Sequence, residues 1–266
     1  MIFIILGTYI VVALAMFVFQ RHLVYFPTRT IEATPADCHL RHEEVQLTTA
    51  DGVKIAGWYV HADAPRGTVL FFHGNGGNVS GRLGTLMLLQ RLGVDVLMID
   101  YRGYGLSEGR PSEQGTYRDA EAAWDYLTQQ RGVPAERIVI HGRSLGGAVS
   151  AHLAADRPCA GLIVESSFTS LPDMAARIYW YFPVRLLCRY RYPTQDNVRK
   201  ARCPVMVIHS REDDLIPFAH GRRIFEAAAE PKRFVEIHGG HNDIHDMNQP
   251  AYEAGLRGFL AEALPR

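Results

Sequence analysis

Gly142-Arg143-Ser144-Leu145-Gly146-Gly147 follows a short apolar run, Ile138 to His141, and opens a stretch that reads as a helix, Leu145 to Ala155. A Gly-x-Ser-x-Gly between a strand and a helix is a nucleophile elbow. The turn is so tight that a side chain at either flanking position collides with the neighbouring strand or helix, and glycine removes that collision. A serine hydroxyl is then presented at the tip, beside the next residue's N–H and the helix N-terminus. A bare Gly-x-Ser-x-Gly is a weak signal and by default a flexible loop. The strand before it and the helix after it give this one its weight.

Val45 to Thr48 and Ile55 to Val60 read as two strands joined by a hairpin turn at Asp51-Gly52. Six apolar runs follow: Thr68 to Phe72, Val94 to Ile99, Ile138 to His141, Leu162 to Glu165, Val205 to His209 and Arg233 to Ile237. They are short, rich in β-branched residues and apolar on both faces, which marks buried parallel strands. Helical spacing separates most of them, at Leu83, Leu86 and Met87, at Tyr117, Ala120, Trp124 and Leu127, and at Tyr252, Leu256, Phe259 and Leu260. The expected fold class is α/β: a mostly parallel eight-stranded sheet with helices on both faces. No repeat, low-complexity tract or second-domain linker interrupts it.

A chain of 266 residues with a formal net charge of zero is enough for one large domain and has no basic run to hold nucleic acid. Cys38, Cys159, Cys188 and Cys203 lie far apart, so neither a zinc site nor a disulfide framework is suggested. They read as buried small hydrophobes, two of which could pair under oxidising conditions.

Met1 to Phe19 holds no charged side chain and no proline. As a helix it spans about 28 Å, close to a bilayer's hydrocarbon thickness. Ala13-Leu14-Ala15 offers a cleavage site, but the apolar run continues past it and no basic residue precedes it. The expectation is an uncleaved single-pass transmembrane helix over residues 1–20. Arg21, His22 and Arg29 then place the rest in the cytoplasm by the positive-inside rule, with Tyr25 and Phe26 in the interfacial belt. Residues 21–39 read as a connector and 40–266 as the folded domain.

Ser170 to Pro193 is longer than an ordinary crossover and interleaves Tyr179, Trp180, Tyr181, Phe182, Tyr190 and Tyr192 with Arg177, Arg185, Arg189 and Arg191. It reads either as a crossover helix packed on the sheet or as a small cap-like insertion, about 170–193, that meets lipid.

A serine hydroxyl needs a base, and the base needs a carboxylate to orient it. The loop after Val205 to His209 reads Ser210-Arg211-Glu212-Asp213-Asp214, and the loop after Arg233 to Ile237 reads His238-Gly239-Gly240-His241-Asn242-Asp243. Parallel strands bring both to the sheet edge that carries Ser144. Oxyanion donors are expected from the Leu145 N–H and from His73-Gly74-Asn75-Gly76-Gly77-Asn78, where Asn75 presents its N–H. That glycine-rich run lacks the Lys-Ser/Thr ending of a phosphate loop.

These motifs, with Asp100-Tyr101-Arg102-Gly103-Tyr104-Gly105-Leu106-Ser107, Glu165-Ser166-Ser167-Phe168, and Asp213 four residues before Pro217, resemble the α/β-hydrolases. Within them, the chain looks like the membrane-anchored branch that includes depalmitoylases and lysophospholipases. The resemblance covers about residues 40 to 264. It implies Ser144 as nucleophile, Asp213 as acid and His241 as base. Ser210 stands where the family usually has glycine, which leaves Asp214 as a reserve acid. The implied activity is serine hydrolysis of carboxylic esters or thioesters of amphiphilic or acyl-chain substrates, with no cofactor and no metal. A non-catalytic membrane scaffold and a serine peptidase are the alternatives. His238, His241, Asp243, His245 and Asp246 have metal-ligand types without metal-ligand spacing. His73 reads as ordering the oxyanion loop, and Asp100 and Glu165 as hydrogen-bonding loop backbone.

Overall fold

In the computed structural model, residues 1–243 and 250–265 are described. His245 and Asp246 of the histidine-rich stretch lie outside them. The chain runs α1 (Ile2–Val18), α2 (Gln20–Val24), β1 (His42–Thr48), β2 (Lys54–Val60), β3 (Thr68–Phe72), α3 (Leu83–Arg91), β4 (Asp95–Ile99), α4 (Glu113–Asp125), β5 (Ile138–Arg143), α5 (Leu145–Asp156) and β6 (Gly161–Glu165). It continues with α6 (Leu171–Ile178), α7 (Val184–Leu187), α8 (Thr194–Val198), β7 (Val205–Ser210), α9 (Phe218–Ala227), β8 (Lys232–Ile237) and α10 (Pro250–Ala263).

These eight strands form one sheet in the order 8-7-6-5-3-4-2-1. β1 pairs antiparallel with β2, and β2 antiparallel with β4. All other neighbours are parallel. The hairpin turns at Gly52, whose φ of 80° only glycine takes without strain.

The uniform apolarity of the central runs has its cause in the two faces. Every residue of β3, β5, β6 and β7 is buried. Leu70 and Phe72 face one core with α4, α5, α8 and α9. Val69 and Phe71 face the other with α3 and α10. Each such side chain contributes about 1.5–3 kcal/mol by leaving water, and Leu70→Ala costs about 2–5 kcal/mol. In α3 the inward residues are Thr85, Leu86 and Leu89, while Met87 turns outward. The parallel order puts the loops after β3, β5, β7 and β8 on one edge, where chemistry gathers.

The transmembrane expectation is corrected. The apolar run does not form one span. α1 ends at Val18 after 17 residues, Phe19 leaves helical geometry at φ −96°, ψ 18°, and α2 restarts at Gln20. Among the described residues, no helix is long and apolar enough to cross a membrane. The single-pass anchor, and the cytoplasmic placement drawn from it, fall together. The reason is local. Gln20 is buried, donates from Nε2 to Leu187 O at 2.8 Å, and accepts from the Arg189 N–H at 2.8 Å. Tyr25 is no interfacial residue either: it is buried, and its hydroxyl shares a 2.8 Å hydrogen bond with that of Tyr192.

The long segment between β6 and β7 is not one crossover helix. α8 packs on α5 and α9, whereas α6 and α7 face α1 and α2 across an apolar cavity of about 120 Å³. Its lining includes Met16, Phe17, Val24, Met174, Phe182 and Val184. Trp180, Tyr181 and Leu186 point outward. All four cysteines are free thiols, and the sulfurs of Cys159 and Cys203 lie 3.3 Å apart.

Candidate active site

Ser144 occupies the single residue between β5 and α5, at φ 55°, ψ −118°. A side chain pays for such a positive φ with strain that the surroundings must hold. They hold it through packing. A Cβ on Gly142 meets Gly146 O at 2.0 Å, and one on Gly146 meets Phe72 O at 2.0 Å. The Ser144 N–H donates to Glu165 O at 2.8 Å, and Ser144 O accepts from Ser167 Oγ at 2.8 Å.

His241 Nε2 lies 3.2 Å from Ser144 Oγ, and its Nδ1 lies 2.9 Å from Asp213 Oδ2. All three side chains are buried. With Nδ1–H donating to the carboxylate, Nε2 carries the lone pair that accepts from the serine hydroxyl. Asp213 is fixed in turn: its Oδ1 accepts the N–H groups of Leu215 at 3.0 Å and Ile216 at 2.7 Å. His209 also approaches Asp213 Oδ2, at 3.6 Å. Burial pushes its pKa below the ordinary histidine value, so the neutral ring donates from Nε2 to Ile216 O at 2.8 Å.

Asp214 has a different place. Its Oδ1 accepts the backbone N–H of His241 at 2.8 Å, and among the described residues it makes no hydrogen bond to the ring. Ser210 is accommodated without disturbing the acid loop. Its hydroxyl donates to Gly239 O and accepts the Glu212 N–H at 3.2 Å, stitching the two loops together.

The loop after β3 passes beside Ser144, and a Cβ on Gly74 meets Ser144 Cβ at 3.5 Å. His73 is fully buried, with Nδ1 2.7 Å from Gly74 O and Nε2 3.2 Å from Asp100 Oδ1. The hydroxyls of Tyr101 and Tyr104 donate to His73 O and Asn75 O at 2.9 and 2.8 Å. Among the described residues, the N–H groups of Asn75 and Leu145 have no protein acceptor. Asp100 accepts the Val79 N–H at 2.9 Å, a loop-backbone role. The Glu165 carboxylate takes side chains: His141 Nε2 at 2.9 Å, the Tyr252 hydroxyl at 2.8 Å and Arg143 Nε at 3.4 Å.

Sequence reasoning missed three contacts here. Arg143 donates to His241 O, Asp214 holds the His241 N–H, and Asn75 Nδ2 donates to Val24 O at 2.9 Å. All three join a side chain to distant backbone, for which no residue type or spacing is a signal. His238 pairs with Glu212 at 3.0 Å, and among the described residues no cluster of His, Cys, Asp and Glu has the geometry to hold a metal ion.

The arrangement can move a proton from a hydroxyl to an imidazole and stabilise negative charge beside it. Residues 67–187 match the family model described as the alpha/beta hydrolase fold. An uncharacterized Mycobacterium tuberculosis protein, Rv2307c, is 40% identical over 246 residues, covering 91% of this chain and 88% of its own. The Arabidopsis thaliana alpha/beta hydrolase domain-containing protein WAV2 is 34% identical, over 88% of this chain and 85% of its own. The fold is also similar to that of the Pyrococcus furiosus esterase Pf2001, with a TM-score of 0.76 at 18% identity over 91% of this chain and 98% of the other. By its sequence relatives and its sheet order, the chain belongs to the alpha/beta hydrolase fold family.

Proposed function

We propose that this chain is a serine hydrolase that cleaves carboxylic ester or thioester bonds through an acyl-enzyme. The observation that carries the reading is the continuous relay from Asp213 Oδ2 through His241 to Ser144 Oγ, at 2.9 and 3.2 Å. In this scheme His241 Nε2 accepts the Ser144 proton as Oγ attacks the carbonyl carbon. The carbonyl oxygen becomes an oxyanion and takes hydrogen bonds from the Asn75 and Leu145 N–H groups. Collapse of the tetrahedral adduct breaks the bond to the alcohol or thiol, which leaves with the proton from His241. Water then repeats the sequence, releasing the carboxylic acid and restoring Ser144.

The finer reading is a substrate with an acyl chain. Its support is the apolar cavity between α1–α2 and α6–α7. That cavity abuts the oxyanion loop, since Val24 lines it and accepts from Asn75. The name of the Pyrococcus furiosus protein, an esterase, agrees with ester chemistry.

A fluorophosphonate probe on the full chain tests the core of this. Ser144 is labelled, and Ser144→Ala loses both the label and turnover of p-nitrophenyl esters, by a factor on the order of a million. Retained turnover in that variant removes Ser144 from the role. The acyl-chain part is tested by a series of p-nitrophenyl esters. kcat/KM climbs with chain length if the cavity receives the chain, and a flat series rejects that part.

A further inference from the structure

Residues 24–28, from the last residue of α2 onward, run beside the oxyanion loop and are bonded into it. Phe26 and Pro27 pair in parallel with Gly76 and Gly77. The Phe26 N–H donates to Asn75 O at 2.9 Å, and the Thr28 N–H to Gly77 O at 3.1 Å. Asn75 Nδ2 returns a bond to Val24 O at 2.9 Å, and Asn78 Nδ2 reaches Thr28 O at 3.2 Å. This segment is itself fixed from the other side by Gln20 on Leu187 and Arg189, and by Tyr25 on Tyr192.

The consequence falls on one peptide group. The N–H of Asn75 shares its peptide plane with Gly74 O, which His73 Nδ1 holds at 2.7 Å. The next peptide is held at Asn75 O by two donors, Phe26 N–H and Tyr104 OH. Both planes flanking Asn75 are therefore set, although Gly74, Gly76 and Gly77 leave the loop little stiffness of its own. Such donors accelerate a reaction only when they are oriented before it begins.

We propose that the Val24–Phe26 backbone is a positioning element of the oxyanion hole, fixing Asn75 so that its N–H faces the oxygen that gains charge. The first segment of the chain is then part of the catalytic apparatus rather than a tether to it. The inference rests on the acyl-transfer reading above.

The test uses the full chain with two substitutions. Phe26→Pro deletes the N–H that holds Asn75 O while keeping an extended φ. Asn75→Ala deletes the bond to Val24 O and leaves the Asn75 N–H in place. Turnover of p-nitrophenyl butyrate is expressed per active site titrated with the fluorophosphonate, so that unfolded protein does not count. Each variant lowers kcat about 10–100-fold with KM within about threefold, and affinity for a trifluoromethyl ketone transition-state analogue falls in parallel. The double variant falls little further than the worse single one, because both bonds hold the same residue, Asn75. Arg21→Ala, whose side-chain hydrogen bond among the described residues goes to the neighbouring His22, keeps wild-type kcat.

Two results overturn the proposal: wild-type kcat per titrated site in both variants, or a loss in Arg21→Ala equal to theirs. An active Ser144→Ala overturns the acyl-transfer reading itself. An inactive Ser144→Ala beside fully active Phe26→Pro and Asn75→Ala overturns the positioning role alone.

Discussion

The guanidinium of Arg143 donates to the backbone carbonyl of His241, across 98 residues of sequence. The residue just before Ser144 thus grips the main chain of the residue whose ring faces Ser144. Glu165 closes the triangle. Its carboxylate lies 3.4 Å from Arg143 Nε, and its backbone carbonyl takes the Ser144 N–H at 2.8 Å. Two loops from different strands are held in register by one buried ion pair.

Arg143→Met takes a cation away from a fully buried carboxylate and a donor away from His241 O. Breaking a buried pair from one side costs about 3–5 kcal/mol, and turnover is expected to fall about 10–100-fold as the His241 loop loosens. Adding Glu165→Gln recovers part of the stability, because the buried charge is gone, but not the turnover. Urea melts and kcat on a p-nitrophenyl ester separate the two effects. Wild-type kcat in Arg143→Met shows that the bond to His241 O is not needed.

The two adjacent carboxylates give a sharper contrast. Asp213 meets the imidazole and Asp214 meets only the backbone of the same residue. Asp213→Asn presents an amide that favours the wrong tautomer, which costs about 10⁴ in kcat in a relay of this kind. Asp214→Asn keeps an oxygen for the His241 N–H and holds kcat within about tenfold. Equal losses in the two variants contradict the assignment of the acid to Asp213.

Glycine is required at one helix start and not at another. In Gly146→Ala the new Cβ lands 2.0 Å from Phe72 O and 2.7 Å from His73 O, both backbone. Neither atom can move without shifting β3, so the variant loses several kcal/mol, at or beyond the upper end of overpacking costs of about 1–3 kcal/mol. Gly84, in α3, has open space around its would-be Cβ. Gly84→Ala gains about 0.5–1 kcal/mol from helix propensity and the less flexible unfolded chain. Thermal melts of the two variants move in opposite directions, and a stable Gly146→Ala contradicts the packing described here.

The strands were legible because periodicity reports burial, and burial here is extreme. Thr68 to Phe72 matches β3 end to end, the other central runs differ by one or two residues, as where Arg143 and Ser210 extend the ladder, and β1 begins three residues before Val45. The loops holding Ser144, Asp213 and His241 could be found because parallel topology sends them to one edge. Residues 1–20 misled for a physical reason. Apolarity and length alone do not distinguish a continuous span from a helix that breaks at Phe19, and α1 itself stays exposed, with none of its residues buried. The break at Phe19 and the bonds of Gln20 depend on where Leu187 and Arg189 come to rest. Tyr25 was misread by the same route, since its partner Tyr192 is 167 residues away.

Arg131 donates to both carboxylate oxygens of Glu43, at 2.9 and 3.0 Å, and its guanidinium also stacks 3.7 Å above the Tyr59 ring. Those bonds, led by Arg131, lower the Glu43 pKa from 4.5 to about 2. Folded protein therefore binds fewer protons at this site than the unfolded chain does between those values. The stabilisation is complete above pH 4.5 and is lost as pH falls towards 2. Because the Glu43 side chain is 48% exposed, solvent screening keeps the contribution below about 1 kcal/mol. Urea melts across this range are expected to show a shallower acid limb for Glu43→Gln than for wild type. The difference shrinks as ionic strength rises from about 0.05 to about 0.5 M, because salt weakens exposed ion pairs. Superimposable acid limbs for the two proteins, or a gap that salt leaves untouched, contradict the charge pairing as the source of the shift.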